Sequence, residues 1–327
     1  MNKKILYFLI VIVLLLAMAG YSAVTGSVSV SFKELIMDLL DGGNEKAAAI
    51  IDFRFPRIIV AMFAGAALSV AGVLFQAVMR NPLADAGVIG ISAGASFFSL
   101  FGMLFLPGLY ISGPFFAFIG GSVACLLVYW LSWKSGLNPL RIILTGIAVS
   151  AMFTGLREAM LMICSYFNVM VGASNASNLL MKTWNDVEVL TIYGLIGIIL
   201  ACISSSWCNV LSLQDKKAKN LGMNVSAARI SISAIAVLLA AVATAVAGVI
   251  VFVGLLVPHI ARQLIGSDHR ILIPFSALAG ALLILTADTL GRTLISPLEI
   301  PASTIMAVIG GPFLIFLLRK SDRVHGI

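Results

Sequence analysis

Charge is what this sequence has least of. Only 11% of its 327 residues are Asp, Glu, Lys or Arg, while 61% are hydrophobic. A soluble globular domain carries roughly a quarter charged residues, so a water-facing fold is excluded. Histidine is scarce as well, at three residues. The four cysteines (Cys125, Cys164, Cys202, Cys208) all lie in apolar segments without a C-x-x-C pair. That excludes a disulfide framework and a thiolate metal site. No G-x-x-x-x-G-K-[ST] loop occurs, so the usual phosphate cradle of an ATPase is missing. No Ser/His/Asp triad or zinc motif stands out either.

What is present is a series of apolar runs, many of the roughly 20 residues that cross a bilayer as a helix. The expected fold is an all-α polytopic membrane protein, a single transmembrane domain over residues 1–327. Its spans are expected at about 5–25, 58–79, 87–106, 115–133, 142–163, 189–207, 230–249, 250–265, 272–290 and 303–318. Lys3 and Lys4 ahead of Ile5–Ala19 fit either a cleaved secretory signal or a retained first helix, and the residues leave both open. Between the first two spans, Ser31 and Glu34 form a capping box for a short surface helix, Phe32–Leu40. Arg54-Phe55-Pro56-Arg57 leads into the second span, and Ser165–Glu188 reads as a long polar loop.

Parity fixes the count. Both chain ends are basic, and excess Lys and Arg marks cytoplasmic loops, so the number of crossings is even. The apolar stretch Ile230–Ile265 is longer than one span needs and is broken by Gly248, Gly254 and Pro258. Dividing it yields ten crossings with both termini cytoplasmic. The inner side then holds 14 basic and 4 acidic residues, +10, against 7 and 10, −3, outside. The net charge of +7 therefore reports topology, not a nucleic-acid partner.

The ionisable residues within the apolar runs are mainly Arg157, Glu158, Asp288 and Arg292, all toward outer helix ends. A proton- or sodium-driven carrier places such groups near mid-membrane. Asp288 and Arg292 are four apart and suited to pair with each other. The chain reads as a passive pathway powered by a partner. Two of the three histidines fall in the polar cluster His259, Arg262, Asp268, His269 and Arg270. In isolation that cluster fits a metal site, a substrate site or a protein contact. Parity puts it on the cytoplasmic face, which favours an elbow after a short eighth helix that Pro258 disrupts, with no bound metal. Gly90, Gly94 and Ala95 have the small-residue spacing of close helix packing.

Several motifs recur in one register along nearly the whole chain. They are Arg54-x-Pro56-Arg57, Gln76 with Asn81-Pro82-Leu83-Ala84, Gly90 with Gly94-Ala95, and Leu144-x-Gly146. Further on come Ala218-x-x-Leu221-Gly222, Phe252-Val-Gly254-Leu, Pro258-His259-x-x-Arg262, Asp268-His269-Arg270, Asp288-x-x-x-Arg292, Glu299-x-Pro301 and Gly310-Gly311-Pro312. In these the sequence resembles the iron-siderophore, haem and cobalamin permease family of ABC importers, the membrane subunits of type II importers. The resemblance implies ten helices and a pathway between two permease subunits, a second copy or a paralogue. It also implies two cytoplasmic ATPase subunits that consume ATP, and an extracytoplasmic binding protein that delivers the chelate. This chain would bind no cofactor and catalyse no reaction, and would sit as a multi-pass protein in the bacterial cytoplasmic membrane. Arg54, Arg57 and Arg292 take the places of arginines that face acidic residues of the binding protein. The loop 210–229, with Gln214, Asp215, Ala218, Leu221 and Gly222, takes the place of the segment seated on the ATPase. There the family has Gly-Glu where this chain has Gln214-Asp215. Asn138, Pro139 and Leu140 fall where the pathway narrows on the cytoplasmic side, although small polar residues are usual at that place. An iron chelate (siderophore or haem) is the expected cargo, with cobalamin the alternative in the same family and a self-powered carrier the alternative outside it.

Overall fold

The computed structural model describes residues 3–25, 45–87, 89–106, 112–133, 139–167, 179–295 and 298–324. Their backbone is almost wholly helical, as expected where no water can satisfy a free peptide group. The first half comprises α1 (Lys3–Val24), α2 (Glu45–Met79), α3 (Ile91–Phe105), α4 (Ser112–Trp133), α5 (Pro139–Tyr166) and α6 (Trp184–Ile203). The short α7 (Ser205–Leu211) and α8 (Asp215–Asn220) precede α9 (Val225–Ala247), α10 (Val253–Ile265), α11 (His269–Thr293) and α12 (Ala302–Val324). Among the described residues the only strand-like pairing is an isolated bridge between Ile295 and Leu298. Within those residues seven helices are long and apolar enough to cross a membrane, and three shorter apolar ones lie in α3, α10 and α12.

The bundle is built around α2, whose spanning window is 83% buried. α6, α9, α10 and α11 pack against it. Small residues let the backbones close in where van der Waals packing must replace the hydrophobic effect. Gly65 meets the main chain of Gly280 in α11, and Gly72 meets Gly254 in α10, so closely that a Cβ would collide with main-chain atoms. α3 and α4 approach in the same way at Gly94 and Gly120. Ala95 is fully buried beside Ala117 and Ala241. Gly90 stands before α3 with φ of 85°, a left-handed conformation that glycine adopts without steric cost. α1 lies along α11, with Phe8 and Phe275 edge to face at 5.1 Å.

Several boundaries differ from the sequence expectation. α2 begins at Glu45, not near residue 58, so Arg54 and Arg57 lie inside the helix together with Pro56. α3 starts at Ile91, four residues later than expected, because residues 80–87 and 89–90 are non-helical. α6 starts at Trp184, so the polar loop ends earlier than Glu188. Thr183 caps the helix and Asp186 reciprocates, accepting from the Thr183 N–H at 2.9 Å. α6 then stops at Ile203, and the residues expected to extend it belong to α7.

The stretch 230–265 divides in two at Gly248–Phe252, around the expected boundary between 249 and 250, and Pro258 does not disrupt the second helix. Gly248 and Phe252 both have positive φ, which a helix cannot contain. Pro258 instead lies within α10. Having no N–H, it leaves the carbonyl of Gly254 without an intrahelical donor. Gln76 of α2 fills the vacancy, donating to that carbonyl at 2.9 Å. The expected surface helix 32–40 lies outside the described residues.

Candidate functional site

Two polar clusters occupy opposite ends of the bundle, and α2 reaches both. The 19 helical steps from Arg57 to Gln76 rise about 29 Å, close to the thickness of a hydrocarbon core.

One cluster, at the end expected to face outward, is centred on Arg57. Its Nε and Nη2 donate to the Asp288 carboxylate of α11 at 2.9 to 3.1 Å, and Nη1 donates to Glu299 at 2.8 Å. Arg292, one turn beyond Asp288, lies 3.4 Å from the same carboxylate. It also donates to the hydroxyl and carbonyl of Ser22 and to the carbonyl of Thr25. Arg54 donates to the Ala23 carbonyl at 2.9 Å. The three arginines therefore fasten the end of α1, the start of α2 and the end of α11 together. Arg57 and Arg292 are buried, as is Asp288. All three arginines thus make contacts within the chain. A guanidinium inside a bundle needs a carboxylate, and the fold supplies one 231 residues away. Arg54 is half-buried, and Glu299 keeps 35% of its side chain exposed.

The other cluster, at the end expected to face the cytoplasm, begins where α2 ends. Arg80 donates to the Leu211 carbonyl at 2.7 Å and pairs with Asp215, which also accepts from Arg229 at 3.1 Å. Asp215, at the start of α8, thus ties the loop 210–229 to α2 and α9. Ala218 is buried, Leu221 is 68% exposed, and Gly222 turns the chain with φ of 81°. Leu221 and Gly222 border a cavity of about 420 Å³ with Trp207 and Met223. Gln214 precedes α8 in extended conformation without capping it through its side chain.

The elbow residues divide among separate contacts. Arg262 donates to the Gln76 side-chain oxygen. His259 lies 2.9 Å from Gln263 and edge to face with Phe313. Asp268 caps α11 and accepts from Asn209 at 2.7 Å. The Asn209 amide and the Arg270 N–H hold the Asp268 carboxyl below its ordinary range. His269 is buried with Nδ1 2.7 Å from Asn209 Oδ1, and Arg270 reaches Ser206. The two histidines do not converge. Among the described residues no group of three or more His, Cys, Asp or Glu could hold a metal ion.

Asp85, unremarked in the sequence, is buried in the turn before α3. It faces the backbone N–H groups of Ala86, Gly87, Phe252 and Gly254, although its Oδ2 makes no protein hydrogen bond of normal length. Burial pushes the carboxyl up to about 6 against the pull of those N–H groups. It joins the 80–90 turn to the start of α10. Asn138 lies outside the described residues. Pro139 opens α5 and Leu140 follows it, but their side chains lie outside the described residues as well.

α5 is thinly covered: 17% of its spanning window is buried. On it Arg157 pairs with Glu158 at 2.9 Å, and the Glu158 side chain is 62% exposed. Glu158, Met162 and Tyr166 border a cavity of about 740 Å³. A carboxylate so exposed on a spanning helix is costly against acyl chains, so this face belongs beside water or another chain. Asn209, Gln76 and Glu299 were legible only as polar residues or motif members. Their partners lie between 59 and 242 positions away.

Known proteins give this geometry a context. The chain is 41% identical over 322 residues to the "Probable heme-iron transport system permease protein IsdF" of Staphylococcus aureus strains MSSA476 and Newman, covering 98% of each chain. Its fold matches an inward-facing metal-chelate type ABC transporter with a TM-score of 0.77 and 26% identity, over 97% of this chain and 99% of the other. A more distant match in fold alone is PsaBC from Streptococcus pneumoniae, with a TM-score of 0.57 and 18% identity over 88% of this chain and 95% of that one. With the FecCD transport profile matching residues 9–320, this multi-pass membrane protein belongs to the FecCD transport family.

Proposed function

We propose that this chain is the permease subunit of an ATP-driven importer that passes an iron chelate, siderophore or haem, across the cytoplasmic membrane. The observation that carries this reading is the 41% identity to a heme-iron permease along nearly the whole length. Cobalamin remains the alternative cargo within the same family. The seven long and three shorter apolar helices make up ten crossings, with both termini cytoplasmic. ATP is consumed by two partner ATPase subunits, and the loop 210–229 is their seat. Its anchoring to α2 through Arg80 and Asp215 supports a load-transmitting role, with Arg262, His269 and Arg270 bracing the neighbouring elbow. A second copy or paralogue covers the open face of α5, which lines the pathway between them, and Asn138, Pro139 and Leu140 mark its inner narrowing. An extracytoplasmic binding protein meets the outer cluster of Arg54, Arg57 and Arg292.

The test is reconstitution of the chain with its ATPase and binding protein in proteoliposomes, offered haem, a ferric siderophore or cobalamin. ATP-dependent accumulation of one iron chelate is expected. Uptake by the purified chain alone, driven by an ion gradient, would overturn the reading.

A further inference from the structure

The cavity of about 420 Å³ beside the loop 210–229 lies at the depth of a membrane surface. The 20 residues of α6, Trp184–Ile203, rise about 30 Å, enough for one hydrocarbon core. α7 continues α6 with hardly a break, since the Ser204 N–H donates to the Leu200 carbonyl and Cys208 to that of Ser204. Trp207 on the cavity wall is therefore one turn beyond the span, where tryptophan rings are enriched. The facing wall is the beginning of α9, whose own span starts at Val225. Ala227, Ala228 and Ser231 line that wall, and their small side chains leave the space open. On the membrane side the surface stays apolar, with Ile203 one turn before Trp207 and Ile230 beside Ser231, both exposed. On the water side the turn 221–224 closes the cavity and bonds back onto α8. The N–H groups of Leu221, Gly222 and Met223 donate to the carbonyls of Lys217, Lys219 and Ala218 at 2.9 to 3.2 Å. Lys216, Lys217 and Lys219 are exposed on this short helix, whose one acidic residue, Asp215, is engaged by Arg80 and Arg229.

We propose that this cavity binds an anionic phospholipid, with an acyl chain seated between α7 and α9 and the headgroup at the lysines of α8. The order of the parts matches an amphiphile. Exposed isoleucines and an apolar cleft lie on the membrane side, a tryptophan at the boundary, and three cations on the water side. A water-soluble anion has no use for the cavity, and a zwitterionic lipid gains little from the lysines. An apolar side chain of a protein partner would also fill the space. It would not account for Ile203 and Ile230, which continue the cleft into the acyl region where no soluble subunit reaches. The site goes beyond the transport reading and holds whichever chelate the chain passes. A lipid in it bridges the two walls from which the loop 210–229 is suspended.

The test places the full chain in phosphatidylcholine nanodiscs with a minor share of lipid brominated on one acyl chain, either phosphatidylglycerol or phosphatidylcholine. Trp130→Phe, Trp133→Phe and Trp184→Phe leave Trp207 as the only tryptophan, quenched by bromine in contact with it. Brominated phosphatidylglycerol should quench at about threefold to tenfold lower mole fraction than brominated phosphatidylcholine, the scale of one or two lysines at a lipid surface. Combining Lys216→Gln, Lys217→Gln and Lys219→Gln should abolish that preference. Ala227→Phe, which fills the cavity from one wall, should bring quenching by phosphatidylglycerol down to the phosphatidylcholine level. Native mass spectrometry of the chain with all four tryptophans, released from mixed nanodiscs, should show retained phosphatidylglycerol that Ala227→Phe removes. That measurement keeps the result independent of the tryptophan replacements. Equal quenching by the two lipids would overturn the site, since the cavity then meets bulk lipid only. A preference that survives Ala227→Phe would overturn it too, because the lysines then attract headgroups without a seated chain. Shielding of Trp207 from both lipids by added ATPase would overturn it in favour of a protein occupant.

Discussion

Pro258 and Gln76 lie 182 positions apart, yet the backbone donor that the first lacks determines what the second must do. The Gly254 carbonyl, deprived of its helical partner by Pro258, is buried between α2 and α10 and accepts from the Gln76 amide. Replacing Gln76 by Leu leaves that carbonyl unpaired and should cost about 1–3 kcal/mol. In a Pro258→Ala background the carbonyl regains an N–H, and the penalty of Gln76→Leu should shrink by about 1 kcal/mol. Part of the penalty stays, because Gln76 also accepts from Arg262. Helical circular dichroism during denaturant titration in detergent measures all four proteins; equal penalties in both backgrounds would sever the link. Gln76 stands out in the sequence as a polar residue in an apolar run. What it binds does not, because the vacancy it fills is in another helix.

At the scale of elements, contact between helices depends on a few glycines with main chain on the other side. A Cβ at Gly72 would enter the backbone of Gly254, and no rotamer relieves a clash with main-chain atoms. Gly72→Val should therefore force α2 and α10 apart, at about 1–3 kcal/mol or more, and reduce the yield of monodisperse protein. Gly311 in α12 has nothing within reach of a Cβ. Gly311→Ala should hold or raise the melting temperature, since alanine stabilises a helix interior by about 0.5–1 kcal/mol over glycine. Thermal unfolding of both variants in detergent checks the pair, and destabilisation by Gly311→Ala would mean that α12 is packed more tightly than the structure shows. The small-residue spacing at Gly90, Gly94 and Ala95 was legible because close packing leaves a compositional trace. The partners Gly120, Ala117 and Ala241 were not, since any small residue would leave the same trace.

For the whole molecule, the distribution of burial points to what is missing from a single chain. α2 is buried over most of its spanning length, whereas α5 turns most of its length outward and carries an exposed carboxylate there. Gly155 lies on that face with open space around it. Gly155→Trp should leave the melting temperature of the isolated chain unchanged but weaken self-association or pairing with a paralogue by about tenfold. Light scattering of the purified protein reads the association directly. An unchanged association constant would move the partner surface away from α5.

The sequence alone was enough to determine that the chain is helical and spans a membrane, and to divide its apolar stretches, because a bilayer prescribes segment length and requires each segment to close its own hydrogen bonds. Those constraints act locally and can be read along the chain. Only the tertiary structure decided where Arg57 points. From the sequence it belonged to a basic motif leading into a helix, suited to an outer surface. In the fold it is buried against Asp288, with Glu299 closing its outward edge. An ion pair between residues so far apart forms only after α2 and α11 have docked through Gly65 and Gly280, and no local pattern encodes it.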